Sequence, residues 1–332
     1  MSVGSTERLT IDVYYDAADQ AATMADDVRR GLTAPQKWLP AKYFYDERGG
    51  ELFECITELP EYYQTRTELA ILQTIAEPLA RAYGLGDVVE IGSGSSKKTT
   101  ALLDAFDRAG ELRRFVPIDV DRAMIAASAR GLLARYAGLQ VHGIVGDFMR
   151  HLSHVPPPLG RRLVVFLGST IGNLNEDERR AFLRDVRGLL GPDGRFLLGV
   201  DLVKDVATLE AAYDDAAGVT AEFNRNILRV VNRALHADFV PEAYRHVAFY
   251  NREHDRIEMH LQPETAQLVQ VRNLDLRVTI RPDETIFTEI SCKYTRETAA
   301  AALAEAGLDL AEWHTDPDGK FAVALAARSV TP

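Results

Sequence analysis

Between residues 86 and 200, short apolar runs alternate with longer amphipathic ones, and this rhythm restricts the fold more than any other feature. Residues 88–91, 115–118, 141–145, 163–167 and 196–200 are apolar runs of strand length. Between them, 97–107, 123–136 and 176–190 place apolar side chains at helical spacing, and Gly191-Pro192-Asp193-Gly194 turns the chain into the last strand. Strands joined through helices of this length run parallel, and a parallel sheet needs helices on both faces. Ligands of such sheets bind beyond the carboxyl ends of the strands, near the point where strand order reverses.

The rhythm changes after Lys204. Residues 206–235 read as one helical stretch. Runs at 246–251, 256–261 and 274–280 alternate like strands, which predicts an antiparallel meander with a hairpin turn at Glu253-His254-Asp255. Helix-then-strand order returns at 296–306 and 308–314, followed by the turn Asp316-Pro317-Asp318-Gly319 and a run at 321–326. The last two runs are expected to form a hairpin at the edge of the main sheet.

Charge removes one class of partner. The 49 acidic residues outnumber the 38 basic ones, for a net charge of −11, whereas nucleic-acid binders need a basic face to displace counterions. Arg113-Arg114 and Arg161-Arg162 each precede an apolar run and read as strand entrances. Cys55 and Cys292 are too few for a disulfide framework and suit a reducing compartment. Neither has a Cys or His at ligand spacing, and His151 with His154 lacks a third ligand nearby, so no metal is expected. Residues 1–16 lack a signal pattern and no apolar run reaches membrane-spanning length, so a cytosolic location without membrane contact is expected.

Val89-Glu90-Ile91-Gly92-Ser93-Gly94 is a strand running into a glycine pair, with a helix directly after it. Glycines let the backbone approach a ligand closely, and a helix N-terminus offers free N–H groups. Such a loop also suits a tight turn without a ligand. A dinucleotide fingerprint would have its third glycine at position 97, which is Lys, and this counts against a nicotinamide enzyme. Asp119 ends the next strand, where a carboxylate accepts ribose hydroxyls or caps a helix; Gly146-Asp147-Phe148 ends the third. Glycine loop, acid, and acid with aromatic thus fall at successive strand ends. The set resembles the class I methyltransferases that use S-adenosylmethionine. That resemblance implies donor binding by Gly92, Ser93, Lys98, Asp119, Asp147 and Phe148.

On the acceptor side, Phe166-Leu167-Gly168-Ser169-Thr170-Ile171-Gly172-Asn173-Leu174 lacks the Pro-Pro-aromatic signature of nucleobase amino-methyltransferases. Asn173 suits a carboxylate or an ammonium, and equally a cap for the helix at Glu176. The longer segments Lys42-Tyr43-Phe44-Tyr45-Asp46, Leu59-Pro60-Glu61-Tyr62-Tyr63-Gln64-Thr65-Arg66, Tyr213-Asp214-Asp215-Ala216-Ala217-Gly218-Val219-Thr220, Phe223-Asn224-Arg225-Asn226 and Glu289-Ile290-Ser291-Cys292-Lys293 are similar to the histidine-specific α-amino methyltransferases of ergothioneine biosynthesis. The likeness covers nearly the whole chain after the first twenty residues. Gln64 departs from it, standing where a Pro is familiar.

The resemblance implies three methyl transfers from S-adenosylmethionine to free L-histidine, giving a trimethylammonium betaine. It implies an α/β fold in which a class I (Rossmann-like) methyltransferase sheet, residues 66–203 with 293–332, carries an inserted α+β substrate domain of residues 204–292 with 1–65. Asn173 and Tyr213 correspond to residues that hold the substrate carboxylate, and Tyr62 to a pocket tyrosine. Tyr45 corresponds to one reaching the amino group through water, and Phe53 to a ring beside the methylated nitrogen. Glu289 and Ser291 correspond to the imidazole ligands and Met259 to an apolar pocket residue; Gly168 leaves room for the added methyls. No His or buried acid stands out as a base, and no obligate protein partner is implied. Two other readings stay open: a related N-methyltransferase of another amino acid such as tryptophan or tyrosine, and a non-catalytic sensor of S-adenosylmethionine or histidine.

Overall fold

All five residues of the Asp87–Ile91 strand and of the Arg162–Phe166 strand are buried, as continuous apolar runs require when helices cover both faces. The computed structural model describes residues 8–94 and 96–329. Its chain divides into two units: one takes the described residues of 1–16, 66–202 and 294–332, the other residues 17–65 and 203–293.

In the first unit, eight strands among the described residues form one sheet. Its order is Leu9–Val13, Gln140–Val145, Arg114–Asp119, Asp87–Ile91, Arg162–Phe166, Arg195–Asp201, Phe321–Arg328 and Leu308–Thr315. The first six run parallel and the last two antiparallel, which is the expected closing hairpin, with Phe321–Arg328 inserted inside the edge. From Asp87–Ile91 the chain steps one way to 114–119 and 140–145, then returns to the other side at 162–166. Strand order therefore reverses at Ile91, and the glycine loop follows directly. At the opposite end of the strands the buried Asp87 carboxylate accepts from Arg114 Nε at 2.7 Å and Arg162 Nε at 2.8 Å, so both arginine pairs do more than open a strand. Leu72 and Leu79 of the Gln64–Tyr83 helix and Leu102, Leu103 and Phe106 of Thr100–Arg108 fill the layer against these strands.

Residues 8–16 fall in the sheet unit, whereas the sequence reading gave them to the substrate domain. Leu9–Val13 pairs in parallel with Gln140–Val145, Leu9 opposite Val141 and Val13 opposite Val145. It is an edge strand with Thr10 and Asp12 alternating among apolar residues, so it lacks the continuous apolar run of a central strand.

In the second unit, the helices Ala17–Thr33, Glu47–Thr57 and Val219–Leu235 share a core with a four-stranded sheet of order Lys37–Trp38, Ile286–Cys292, Arg256–Pro263 and Tyr244–Asn251. Phe44, Leu52, Phe223, Ile227, Leu261 and Ile286 belong to that core. The hairpin between Tyr244–Asn251 and Arg256–Pro263 forms as expected, but the meander does not continue. Arg256–Pro263 pairs next with Ile286–Cys292, while Leu276–Ile280 pairs with Gln267–Val271 in a sheet of its own. The helical stretch 206–235 is likewise two helices, Val206–Ala211 and Val219–Leu235. Gly218, at φ 73°, ends the break, and Asp215 caps the second helix by accepting from Val219 N and Thr220 N at 3.0 and 2.7 Å. No helix among the described residues is long and apolar enough to cross a membrane.

Candidate functional site

Gly92 and Gly94 adopt φ of 65° and 47°, and a Cβ added to either meets nothing within 4 Å. The glycines are thus needed for conformation, and the space beside them is open. Gly92 N and Ser93 N both donate to Ile118 O, at 2.9 and 3.1 Å, which ties the loop to the neighbouring strand. Asp119 braces it further: its carboxylate accepts from Gly94 N at 2.8 Å and from Asp121 N at 3.1 Å. Asp119 is not the helix cap, since Asp121 takes that role for Arg122–Arg135. Burial raises the Asp119 pKa above the ordinary carboxylate value.

Two buried polar atoms at this loop have no hydrogen-bond partner among the described residues, Glu90 Oε2 and Ser93 Oγ. The other Glu90 oxygen accepts from the Thr99 hydroxyl, and burial pushes the Glu90 pKa up to about 7. Buried polar groups are nearly always satisfied, and these two atoms can take a polar partner. A cofactor with hydroxyl and charged groups, such as S-adenosylmethionine, fits that demand.

Asp147 caps the short Phe148–His151 helix, accepting from Met149 N at 2.9 Å, while its own N–H donates to His151 Nδ1 at 3.0 Å. Half-buried Phe148 sets its ring edgewise to Phe166 and Phe182, centroids 5.4 and 5.7 Å away. Asn173 ends the Thr170–Asn173 turn of 3-10 helix; the cap of Glu176–Leu189 is Asn175, in a reciprocal box with Glu178. Capping therefore does not account for Asn173.

The sequence reading found no buried acid that stood out as a base; besides Glu90, the structure holds Glu68, wholly buried on the Gln64–Tyr83 helix. Its carboxylate accepts from Gly168 N at 2.8 Å and from the Lys98 ammonium. One acid thereby fixes two expected site residues, Lys98 and Gly168, the latter at φ 77°. A signal was available: Glu68 stands three, four and seven residues before Ile71, Leu72 and Ile75, a charge inside an apolar helical stripe.

In the second unit the rings of Tyr45, Phe53 and Tyr62 adjoin one another. Tyr45 and Tyr62 lie edgewise to Phe53, centroids 5.5 and 6.2 Å away, and Phe223 lies behind at 6.1 Å. Tyr45 is 48% exposed, so this aromatic patch reaches the surface of its unit. Glu289 and Ser291 stand two apart on Ile286–Cys292 and so share a face; Met259, buried in the core, is the partner of Glu289 across the pair of strands.

Ser291 Oγ lies 2.7 Å from Tyr213 Oη, and Lys293 Nζ donates to both hydroxyls. Behind Tyr213 sits His246. A carbonyl only accepts, so His246 Nε2–H donates to Tyr213 O at 2.8 Å, and Nδ1 accepts from Asn224 Nδ2 at 2.8 Å. Burial keeps the His246 pKa low, which favours this neutral ring. His246, Asn224 and Lys293 were not marked as site residues in the sequence, because their placement depends on contacts between distant segments.

A profile of the family described as histidine-specific methyltransferase, SAM-dependent, matches residues 24–328. The chain is 52% identical over 315 residues to the histidine N-alpha-methyltransferase of Mycolicibacterium smegmatis, covering 95% of this chain and 98% of that one. To the protein of the same name from Mycobacterium tuberculosis it is 49% identical over 302 residues, with 91% and 94% covered. Ergothioneine biosynthesis protein 1 of Neurospora crassa is 32% identical over 283 residues, which is 83% of this chain and 32% of that longer one.

Proposed function

The chain belongs to the histidine-specific, S-adenosylmethionine-dependent methyltransferase family, and on that premise we propose that it methylates the α-amino group of free L-histidine three times. The product is the trimethylammonium betaine hercynine, and the reaction is a step of ergothioneine biosynthesis. The observation that carries this reading is identity of about half the residues, over nearly the full length of both chains, with histidine N-alpha-methyltransferases. Glu289 and Ser291 on one strand face agree with it chemically. An imidazole needs an acceptor for its N–H and a donor for its other nitrogen, whereas an indole has no second nitrogen to satisfy.

S-adenosylmethionine supplies an electrophilic methyl on a sulfonium. In the sheet unit, Asp119 accepts from the ribose hydroxyls, Gly92 and Ser93 line the donor's path, and Asp147 with Phe148 takes the adenine. Lys98, oriented by Glu68, meets the donor's carboxylate, and Asn173 offers an amide to the substrate carboxylate. Gly168, without a side chain, leaves space for the methyls already added. In the second unit, Tyr213 donates to a carboxylate, Tyr62 and Met259 wall the pocket, and Glu289 with Ser291 takes the ring.

An α-amine is largely protonated at neutral pH, so each transfer begins with loss of a proton. Tyr45 passes that proton through water, and the Phe53 ring face favours the cation that forms. Most of the rate comes from holding the amine in line with the methyl, which anchors at both ends of the amino acid achieve. Glu289→Ala tests the substrate assignment. It should raise KM for histidine by about 10- to 100-fold, the worth of a hydrogen bond to a charged group, and leave KM for S-adenosylmethionine within twofold. Equal losses for both would assign Glu289 to the fold instead.

A further inference from the structure

Asp147, the acid assigned to the adenine, sits on a turn whose backbone is held from several sides. Gly146 N donates to Asp119 O at 2.9 Å, which ties the turn to the strand end that carries the ribose acid. Asp147 O accepts from Arg150 N and His151 N, both at 2.9 Å, and one carboxylate oxygen accepts from Met149 N at 2.9 Å. The Asp147 N–H faces the His151 ring, with Nδ1 3.0 Å away. That ring lies directly on the turn: a Cβ added at Gly146 would come within 3.0 Å of His151 Cβ and 3.4 Å of Nδ1.

Hydrogen counting fixes the tautomer of His151. Its Nδ1 is also 3.1 Å from Asp147 O, so a hydrogen on Nδ1 would be directed at that carbonyl. A carbonyl oxygen has two lone pairs, and this one already takes two N–H donors. Asp147 N–H would at the same time lose its acceptor among the described residues. With the hydrogen on Nε2 both conflicts vanish, because Nδ1 accepts from Asp147 N and the carbonyl keeps its two donors. Aromatic neighbours flank the ring. Buried Tyr15 lies 6.0 Å away between centroids, and Tyr14, stacked on His154 at 3.8 Å, lies at 6.5 Å. Both tyrosines follow directly on the edge strand Leu9–Val13, and Tyr14 N donates to Val145 O at 2.9 Å.

We infer that His151 is a positioning residue for adenine specificity: by accepting from Asp147 N it fixes the direction in which the Asp147 carboxylate meets the base. The inference rests on the reading of Asp147 as acceptor for the adenine amine. The cap to Met149 N occupies one carboxylate oxygen and leaves the other for that amine. A carboxylate on a loosened turn loses the geometry of this bond, whereas the glycine loop and Asp119 keep their hold on the rest of the donor. His151 therefore acts on the choice of base and not on donor binding at large.

The test uses S-adenosylhomocysteine, which is the donor without its methyl, and S-inosylhomocysteine, whose base carries a carbonyl oxygen in place of the amine. Each is titrated calorimetrically into parent, His151→Phe and His151→Asn. The parent should bind the adenosine compound tighter by about 30-fold or more, because a site built around a hydrogen bond rejects an analogue that lacks the partner. His151→Phe keeps a ring of similar shape without the acceptor. It should weaken S-adenosylhomocysteine by about five- to tenfold, the worth of a hydrogen bond, and leave S-inosylhomocysteine within about twofold. Asparagine carries its Oδ1 as many bonds from Cα as histidine carries Nδ1, so His151→Asn should bind S-adenosylhomocysteine within about threefold of the parent. Unchanged affinity for S-adenosylhomocysteine in His151→Phe, or equal weakening of both compounds, overturns the inference alone. If His151→Phe does not fold, His151→Asn decides, and loss of the parent's preference in that variant overturns it. A parent that binds the two compounds equally, or neither, overturns the assignment of Asp147 and the inference with it.

Discussion

Replacing Glu90 with Gln removes the most strongly perturbed carboxyl at the glycine loop. The group is buried, one oxygen holds the Thr99 hydroxyl and the other has no partner among the described residues. Burial moves its pKa from 4.5 to about 7, so the fold favours the protonated form. The stability this contributes is complete below the unfolded pKa and is lost as pH rises through the folded one. Integrating proton linkage between these two values gives a loss of about 2–3 kcal/mol from pH 5 to pH 8. Glu90→Gln cannot titrate and escapes that loss. Asp119, whose pKa is also raised, is present in both proteins, so the difference between them reports Glu90 together with its Coulombic effect on Asp119. Urea unfolding of the ligand-free proteins at pH 5 and pH 8 should therefore show the variant gaining about 2–3 kcal/mol on the parent across that interval. Parallel pH dependence in the two proteins would refute the burial argument for Glu90.

Three further outcomes follow from the sheet unit. Binding of a cationic donor should favour ionised Glu90 and release about half a proton at pH 7, read from calorimetry in buffers of different ionisation enthalpy; heats independent of buffer would contradict this. Asp119→Asn should weaken S-adenosylmethionine by about 10- to 100-fold in equilibrium titration, the worth of hydrogen bonds to a charged acceptor, and unchanged affinity would remove Asp119 from the donor site. A Cβ at Gly199 would lie 1.9 Å from Glu68 Oε1, so Gly199→Ala should destabilise by about 1–3 kcal/mol in urea unfolding, and a variant as stable as the parent would show that Glu68 moves freely.

The central strands were legible because burial on both faces writes a continuous apolar run into the chain, as at 88–91 and 163–167. Leu9–Val13 was not, since its alternation of polar and apolar residues suits an edge whose partner lies far along the sequence. The pairing of Arg256–Pro263 with Ile286–Cys292 escaped for a related reason. A tight turn announces a hairpin, but nothing local announces a strand that returns after an intervening one. The break at Gly218 was written in Asp214-Asp215-Ala216-Ala217-Gly218, and helical spacing on either side of it hid it.

Within the sites, Gly92, Ser93 and Asp119 were legible as a motif because one strand end and its neighbour supply them all. Glu68 and Lys293 were not, because each takes its meaning from a partner brought up by another segment: Gly168 in one case, Tyr213 in the other.

The account as a whole is tested most directly by mixing the purified protein with S-adenosylmethionine and each free amino acid in turn and following product masses. The account predicts a gain of three methyl groups on histidine alone. Methylation of a different amino acid, or donor binding with no methylated product, would contradict it.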